Sequence, residues 1–88
     1  MWYVYVLSSK KNGRLYIGST SDLKRRFTEH QNGQGGKYTR DNRPFELIYY
    51  ESFMDKADAI RDELFFKTGY GREVLKKKLK SYFDKKSL

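Results

Sequence analysis

The chain has 88 residues, carries nineteen Lys and Arg against eleven Asp and Glu, and contains one His and no Cys. That is one domain, 1–88, with no disulfide, thiolate nucleophile, Cys-type zinc site or His-rich metal centre, and no apolar run reaches the roughly 18 residues of a membrane span. The net charge of +8 favours a polyanionic partner, most simply nucleic acid; an acidic membrane surface is the weaker alternative. The charge comes in blocks. Residues 24–43 hold six basic and two acidic residues, 44–71 hold three and six, and 72–88 hold seven and two. The apolar run at the N-terminus is short and has no basic segment before it, so no secretory signal is expected and the expected location is cytoplasmic.

Residues 2–7, Trp-Tyr-Val-Tyr-Val-Leu, are rich in β-branched and aromatic types and read as a strand. Asn12-Gly13 is a strong hairpin signal, because both central positions of a type I′ turn need φ > 0. Residues 14–19 make the returning strand. A two-residue turn sets 9 opposite 16, 7 opposite 18 and 5 opposite 20. Tyr5, Tyr16 and Gly18 then share one face, and Val4, Val6, Leu15 and Ile17 share the other, which reads as core. A Gly within a strand often marks the close approach of a ligand or of another backbone.

Thr20 or Ser21 can cap a helix from Asp22 to His30, with Leu23 and Phe27 on one face. Residues 31–44 show no periodicity and read as a long loop, of a length that is usually functional or disordered in so small a domain. Residues 45–53 form a third strand. Asp55 can cap a helix of about 56–68 that closes at Gly69. A last helix, about 72–86, has Leu75, Leu79, Tyr82 and Phe83 on one side and lysines on the other. The expected architecture is α/β (α+β): a small central three-stranded sheet, mixed or antiparallel, with about three helices.

Tyr3-Val4-Tyr5 followed by Tyr16-Ile17-Gly18 resembles the paired motifs of the GIY-YIG nuclease family. Leu23-x-x-Arg26-x-x-x-His30 is similar to that family's first helix. Glu63 stands on the helix after the third strand, where the family carries its metal-binding Glu, and Gly36-Lys37-Tyr38-Thr39-Arg40 looks like a segment of the small, single-domain bacterial members. The resemblance covers roughly residues 2–69. Many members also carry an Asn about three turns beyond the Glu, and Leu75 stands in that neighbourhood here.

What the resemblance implies is an endonuclease-like domain that hydrolyses phosphodiester bonds of nucleic acid, with DNA expected, using one Mg²⁺ or Mn²⁺. Tyr16 is then the candidate base or proton relay, since a free Tyr has a pKa near 10. Arg26 grips two phosphate oxygens through its planar fork. His30, one turn beyond Arg26, shares the base role or hydrogen-bonds a tyrosine hydroxyl. Tyr5 orients water or Tyr16, Glu63 holds the metal, and Gly18 lets the substrate backbone come close. Lys37, Tyr38 and Arg40 in the loop and Lys76, Lys77 and Lys80 on the last helix are the expected nucleic-acid contacts, Tyr38 by stacking on an unpaired base or, alternatively, by pinning the loop to the core. Two other readings stand beside this one. One is a nucleic-acid-binding module on the same fold without cleavage. The other is a protein-interaction subunit docking through its basic C-terminal helix.

Overall fold

The computed structural model describes residues 1–86. In chain order it contains β1 (Trp2–Ser9), β2 (Leu15–Thr20), α1 (Leu23–Gln31), α2 (Lys37–Asn42), β3 (Phe45–Phe53), α3 (Lys56–Phe66), α4 (Gly69–Lys78) and α5 (Lys80–Lys86). The sheet has the order β2-β1-β3, and both pairings are antiparallel. The α+β class and the three strands are as expected, with five helices among the described residues rather than three.

The central strand β1 is buried on both faces from Val4 onward. Val4, Val6 and Ile17 pack on Phe66 of α3 and Leu75 of α4. On the other side Tyr5, Leu7 and Phe45 pack with Tyr16, Leu47 and the α1 residues Leu23 and Phe27. The face that carries the tyrosines is thus a second core. Between Val6 and Leu7 the pairing with β3 shifts register, so that Val6 faces Tyr49 while Leu7 faces Leu47. The extra residue, Ile48, joins Tyr49 on the aliphatic side, which is what a bulge permits.

The hairpin loop differs from expectation. Ser9 pairs with Arg14 (Ser9 N–H to Arg14 O, 2.8 Å), leaving four residues in the loop rather than two. Tyr5 therefore opposes Gly18, and Leu7 opposes Tyr16. Side chains alternate with period two, so this shift of two positions leaves every residue on its expected face.

Three helical boundaries also correct the sequence reading. The first helix is capped by Asp22 itself, whose carboxylate accepts from the Arg25 N–H at 3.1 Å. The expected loop 31–44 contains α2. Its short sequence has no apolar repeat, and tertiary hydrogen bonds hold it instead. Asn42 Nδ2 donates to Tyr38 O at 2.7 Å, Asn42 Oδ1 accepts from Asn12 Nδ2 at 2.7 Å, and Ser9 Oγ donates to Asn42 O. The last helix begins earlier, at Gly69, and breaks at Leu79, whose φ of −110° and ψ of 34° leave the helical region. Gly69 thus opens α4 rather than closing α3, and Thr68 caps it by accepting from the Gly71 N–H at 2.9 Å.

Gly71 sets how closely α3 and α4 approach. A Cβ there would lie 1.8 Å from the Phe65 carbonyl oxygen, a backbone atom with no freedom to move aside. Gly71→Ala is therefore expected to destabilise the domain by about 1–3 kcal/mol, the range for forcing atoms into a packed site. Urea unfolding of the variant measures this; a midpoint equal to wild type would show that the helices separate without cost.

Candidate functional site

The site is assembled from β1, β2, α1 and α3. The direct pairing of Tyr5 with Gly18 brings the Tyr5 ring across the glycine, where a Cβ would sit 2.5 Å from the Tyr5 hydroxyl oxygen. The space beside Gly18 is therefore filled by Tyr5. This corrects the expectation that it admits substrate backbone: Gly18 is buried, and its missing side chain seats a tyrosine.

Arg26 and His30 are four residues apart on α1 and point to the same side. The Tyr5 hydroxyl lies 2.9 Å from His30 Nε2. Both residues are enclosed, Tyr5 at 1% and His30 at 0% exposure. Burial pushes the Tyr5 hydroxyl up to about 12, the nearby Tyr16 adds to the rise, and the Arg26 guanidinium at the Tyr5 hydroxyl works against it. Tyr5 thus keeps its proton at neutral pH and serves as a hydrogen-bonding group. Burial, reinforced by Arg26, lowers His30 to about 4, so the imidazole is neutral at neutral pH. Its Nδ1 is buried without a hydrogen-bond partner, and Gly35 closes over it so tightly that a Cβ would sit 2.0 Å from that nitrogen. Of the two expected roles for His30, the geometry matches the hydrogen bond to a tyrosine.

An unfolded His titrates near 6.5. Between that value and the folded value of about 4, the unfolded chain binds more protons than the folded one. Stability is then complete above about pH 6.5 and is lost as pH falls toward about 4, by up to about 3 kcal/mol from this group. Unfolding by urea at about pH 7 and about pH 4.5 is expected to show the loss in wild type and a smaller one in His30→Gln. Equal losses in the two proteins would contradict the assignment.

Tyr16 is half-buried at the centre of an aromatic group. Its ring centroid lies 4.8 Å from His30, 6.3 Å from Tyr5 and 6.0 Å from Tyr38. Tyr38 is 42% exposed and donates its hydroxyl to Leu15 O at 3.3 Å. It therefore ties α2 to β2 and still offers a ring edge to solvent beside Tyr16.

Glu63 reaches the same neighbourhood from the other side of the sheet. α3 packs on the aliphatic face, and Glu63 Oε1 accepts from Ser19 Oγ at 2.6 Å. Ser19 alternates with Gly18 on the edge strand β2, so the carboxylate comes up at the sheet edge, close enough to act on the acidity of Tyr5. The second oxygen, Oε2, accepts from Lys67 Nζ at 2.8 Å. The carboxylate is thus already paired with the ammonium one turn further along the chain. Among the described residues no three His, Asp or Glu side chains converge on one point. A single carboxylate fits Mg²⁺ or Mn²⁺, ions that keep several waters and share a substrate phosphate.

The structure thus brings together Tyr5, Tyr16, Gly18, Arg26, His30 and Glu63, with Tyr38 beside them. It does not bring in the lysines of the last segment. Lys76 and Lys77 are exposed on α4, which packs under the aliphatic face, and Lys80 on α5 is paired with Asp84. Lys37 and Arg40 are both paired with Asp41. Leu75 is fully buried in the aliphatic core, so that position supports the fold and not the site. Sequence reasoning missed Ser19, Glu29 and Gly35. Ser19 falls on the core side by alternation, and nothing in the sequence pairs it with a residue 44 positions away. Glu29 did carry a signal, since it lies three residues after Arg26 on the helix.

The family model of the GIY-YIG catalytic domain matches residues 1–85. The chain belongs to the GIY-YIG family. Among its relatives, the UPF0213 protein of Bacillus pumilus is 48% identical over 66 residues, covering 75% of this chain and 66% of that protein. The UPF0213 protein of Staphylococcus saprophyticus is 42% identical over 74 residues, or 84% and 89%. The YazA protein of Bacillus subtilis is 39% identical over 84 residues, or 96% and 79%. The solution structure of a UPF0213 protein from Bacillus halodurans is 40% identical, with a TM-score of 0.52 over 85% of this chain and 82% of that one. This GIY-YIG domain is thus of the small bacterial kind expected from its motifs. No helix among the described residues is long and apolar enough to cross a membrane.

Proposed function

We propose that this GIY-YIG domain is a metal-dependent phosphodiesterase acting on nucleic acid, with DNA the expected substrate. The observation that supports the reading best is that Tyr16, Arg26 and Glu63, from three elements, all lie close enough to Tyr5 to act on its hydroxyl. Hydrolysis of a phosphodiester needs an aimed water, a group that stabilises charge on the equatorial oxygens, and help for the leaving oxygen. Arg26 supplies the second need through two N–H groups on two phosphate oxygens. Tyr16 holds the attacking water by its hydroxyl and takes or relays a proton. The buried Tyr5–His30 pair keeps Tyr16 and Arg26 in place from beneath. Glu63 would hold the divalent cation, which when bound supplies Lewis acidity and a more acidic bound water.

The test is cleavage of single-stranded, nicked and branched DNA by the pure chain with Mg²⁺ or Mn²⁺. Tyr16→Phe and Glu63→Gln are each expected to reduce cleavage by about 100-fold or more while leaving the urea midpoint near wild type. Cleavage by the variants at the wild-type rate defeats the reading. The ion pair of Lys67 with Glu63 favours a second reading, in which the domain holds nucleic acid without cutting it. A non-cutting binder is expected to lose affinity with a log–log salt slope of about −0.9 per phosphate contact on duplex DNA, with no product at any metal concentration.

A further inference from the structure

Arg26 already has a partner on its own helix. Its Nη1 donates to Glu29 Oε1 at 3.0 Å, and the other Glu29 oxygen accepts from Arg25 Nη1 at 3.2 Å. One carboxylate is thus forked between two consecutive arginines. The surroundings set this pair apart from the ordinary helical pairs of the surface. Lys37–Asp41 has side-chain exposures of 79% and 48%, and Lys80–Asp84 of 76% and 62%. Arg26 and Glu29 are at 30% and 27%. Burial pulls the Arg26 guanidinium down, but the hydrogen bonds to Glu29 and Tyr5 outweigh it and raise it. Arg26 is therefore held between two groups, Glu29 on its helix and Tyr5 on the sheet.

A carboxylate beside a phosphate-binding arginine needs a reason, because its charge weakens the attraction for an anion. Orientation supplies one. The guanidinium has five N–H donors on a long chain with large rotamer freedom. Unpaired, it would sample many positions, and only a few present two N–H groups to one phosphate. With Nη1 on Glu29 and Tyr5 and Tyr16 close by, the guanidinium is confined to a few of those positions.

We propose that Glu29 is a positioning residue, whose carboxylate fixes the Arg26 guanidinium against Tyr5 and so presets the phosphate grip. The proposal rests on the phosphodiesterase reading above. It separates two effects of one side chain: the hydrogen bond sets geometry, which appears in kcat, and the negative charge lowers affinity, which appears in KM.

Glu29→Gln keeps an oxygen acceptor for Arg26 and removes the charge. Its kcat is expected to stay within about two-fold of wild type and its KM to fall about two-fold. Glu29→Ala removes the acceptor, and kcat is expected to fall by about 10- to 100-fold, the cost of a misplaced catalytic group. Arg26→Ala/Glu29→Ala is expected to be no worse than Arg26→Ala alone, because Glu29 acts through that arginine. Wild-type kcat in Glu29→Ala, no rescue by glutamine, or an additive double variant would each overturn the proposal. A second readout needs no cleavage. In the ¹⁵N-labelled full chain, slow rotation is expected to give Arg26 separate Nη signals in wild type and Glu29→Gln, and averaged ones in Glu29→Ala. If wild type cuts nothing, the phosphodiesterase reading fails while this spectrum still decides the contact; averaged Arg26 signals in wild type overturn the proposal itself.

Discussion

Replacing Arg26 with alanine is expected to lower kcat/KM for phosphodiester cleavage by about 10²- to 10³-fold, the loss found when one preorganised donor to a developing oxyanion is removed. Arg26 sits between Glu29 and the Tyr5 hydroxyl and has further N–H groups left for a phosphate. Arg26→Lys is expected to recover little of the loss. A lysine carries the charge but has three donors on a single nitrogen, so it cannot hold Glu29, meet Tyr5 and grip two oxygens at once. Stability is expected to change by about 1 kcal/mol in either variant, because the side chain keeps partial contact with solvent and a pair of this kind contributes little more than a surface pair. Steady-state cleavage beside urea unfolding measures both quantities. A lysine variant with wild-type kcat/KM would show that charge alone suffices and that the fork has no role.

Tyr5 is expected to show the largest effect on stability. Its ring is 1% exposed and packs with Leu7 and Phe45 in the second core, so Tyr5→Ala should cost about 3–5 kcal/mol. A domain of this kind has roughly 5–15 kcal/mol in all, which places the variant close to unfolding at room temperature. Tyr5→Phe keeps the ring and removes the hydroxyl that meets His30 Nε2. With Nδ1 already unpartnered, the imidazole then has no hydrogen bond, and a loss of about 1–3 kcal/mol follows from one buried polar group left bare. Chemical denaturation of the three proteins measures the two parts separately. If Tyr5→Phe matches wild type, the hydrogen bond to His30 contributes nothing net.

These expectations depend on Tyr5 being a core residue, and that was only half legible. Alternation along β1 puts Tyr5 on the side away from Val4 and Val6, and the structure agrees. What alternation leaves open is whether that side meets solvent. Leu23 and Phe27, spaced one turn apart on α1, were visible as an apolar face without an evident destination. The sheet face under α1 is that destination, and it turns a face of tyrosines into a second core with His30 sealed inside it. The loop before β3 was hidden for a different reason. α2 has no apolar repeat of its own, and it is held by hydrogen bonds from Ser9 and Asn12, some thirty residues earlier in the chain.

The charged residues divide in the same way. Spacing on a helix identified Arg26 and His30 as neighbours, because four residues make about one turn. It could not sort the lysines. Lys37, Arg40 and Lys80 looked available for phosphate, and each is paired with a nearby acid. Lys76 and Lys77 have no acidic partner among the described residues, but the helix that carries them packs under the other face of the sheet.

The sequence by itself determined which residues share a face, because that depends on local periods of two and about 3.6 residues that survive errors elsewhere. The hairpin loop proved two residues longer than expected, and an even shift left every side chain on its side. The family motifs are likewise local, and they were legible in order. Only the tertiary structure decided that the tyrosine face is covered, and that Glu63 of α3 meets Ser19 on the edge strand. The contacts that fix these facts join residues 25 and 44 positions apart. Such contacts follow from how apolar faces of different elements close on one another, and no local pattern in the chain encodes that closure.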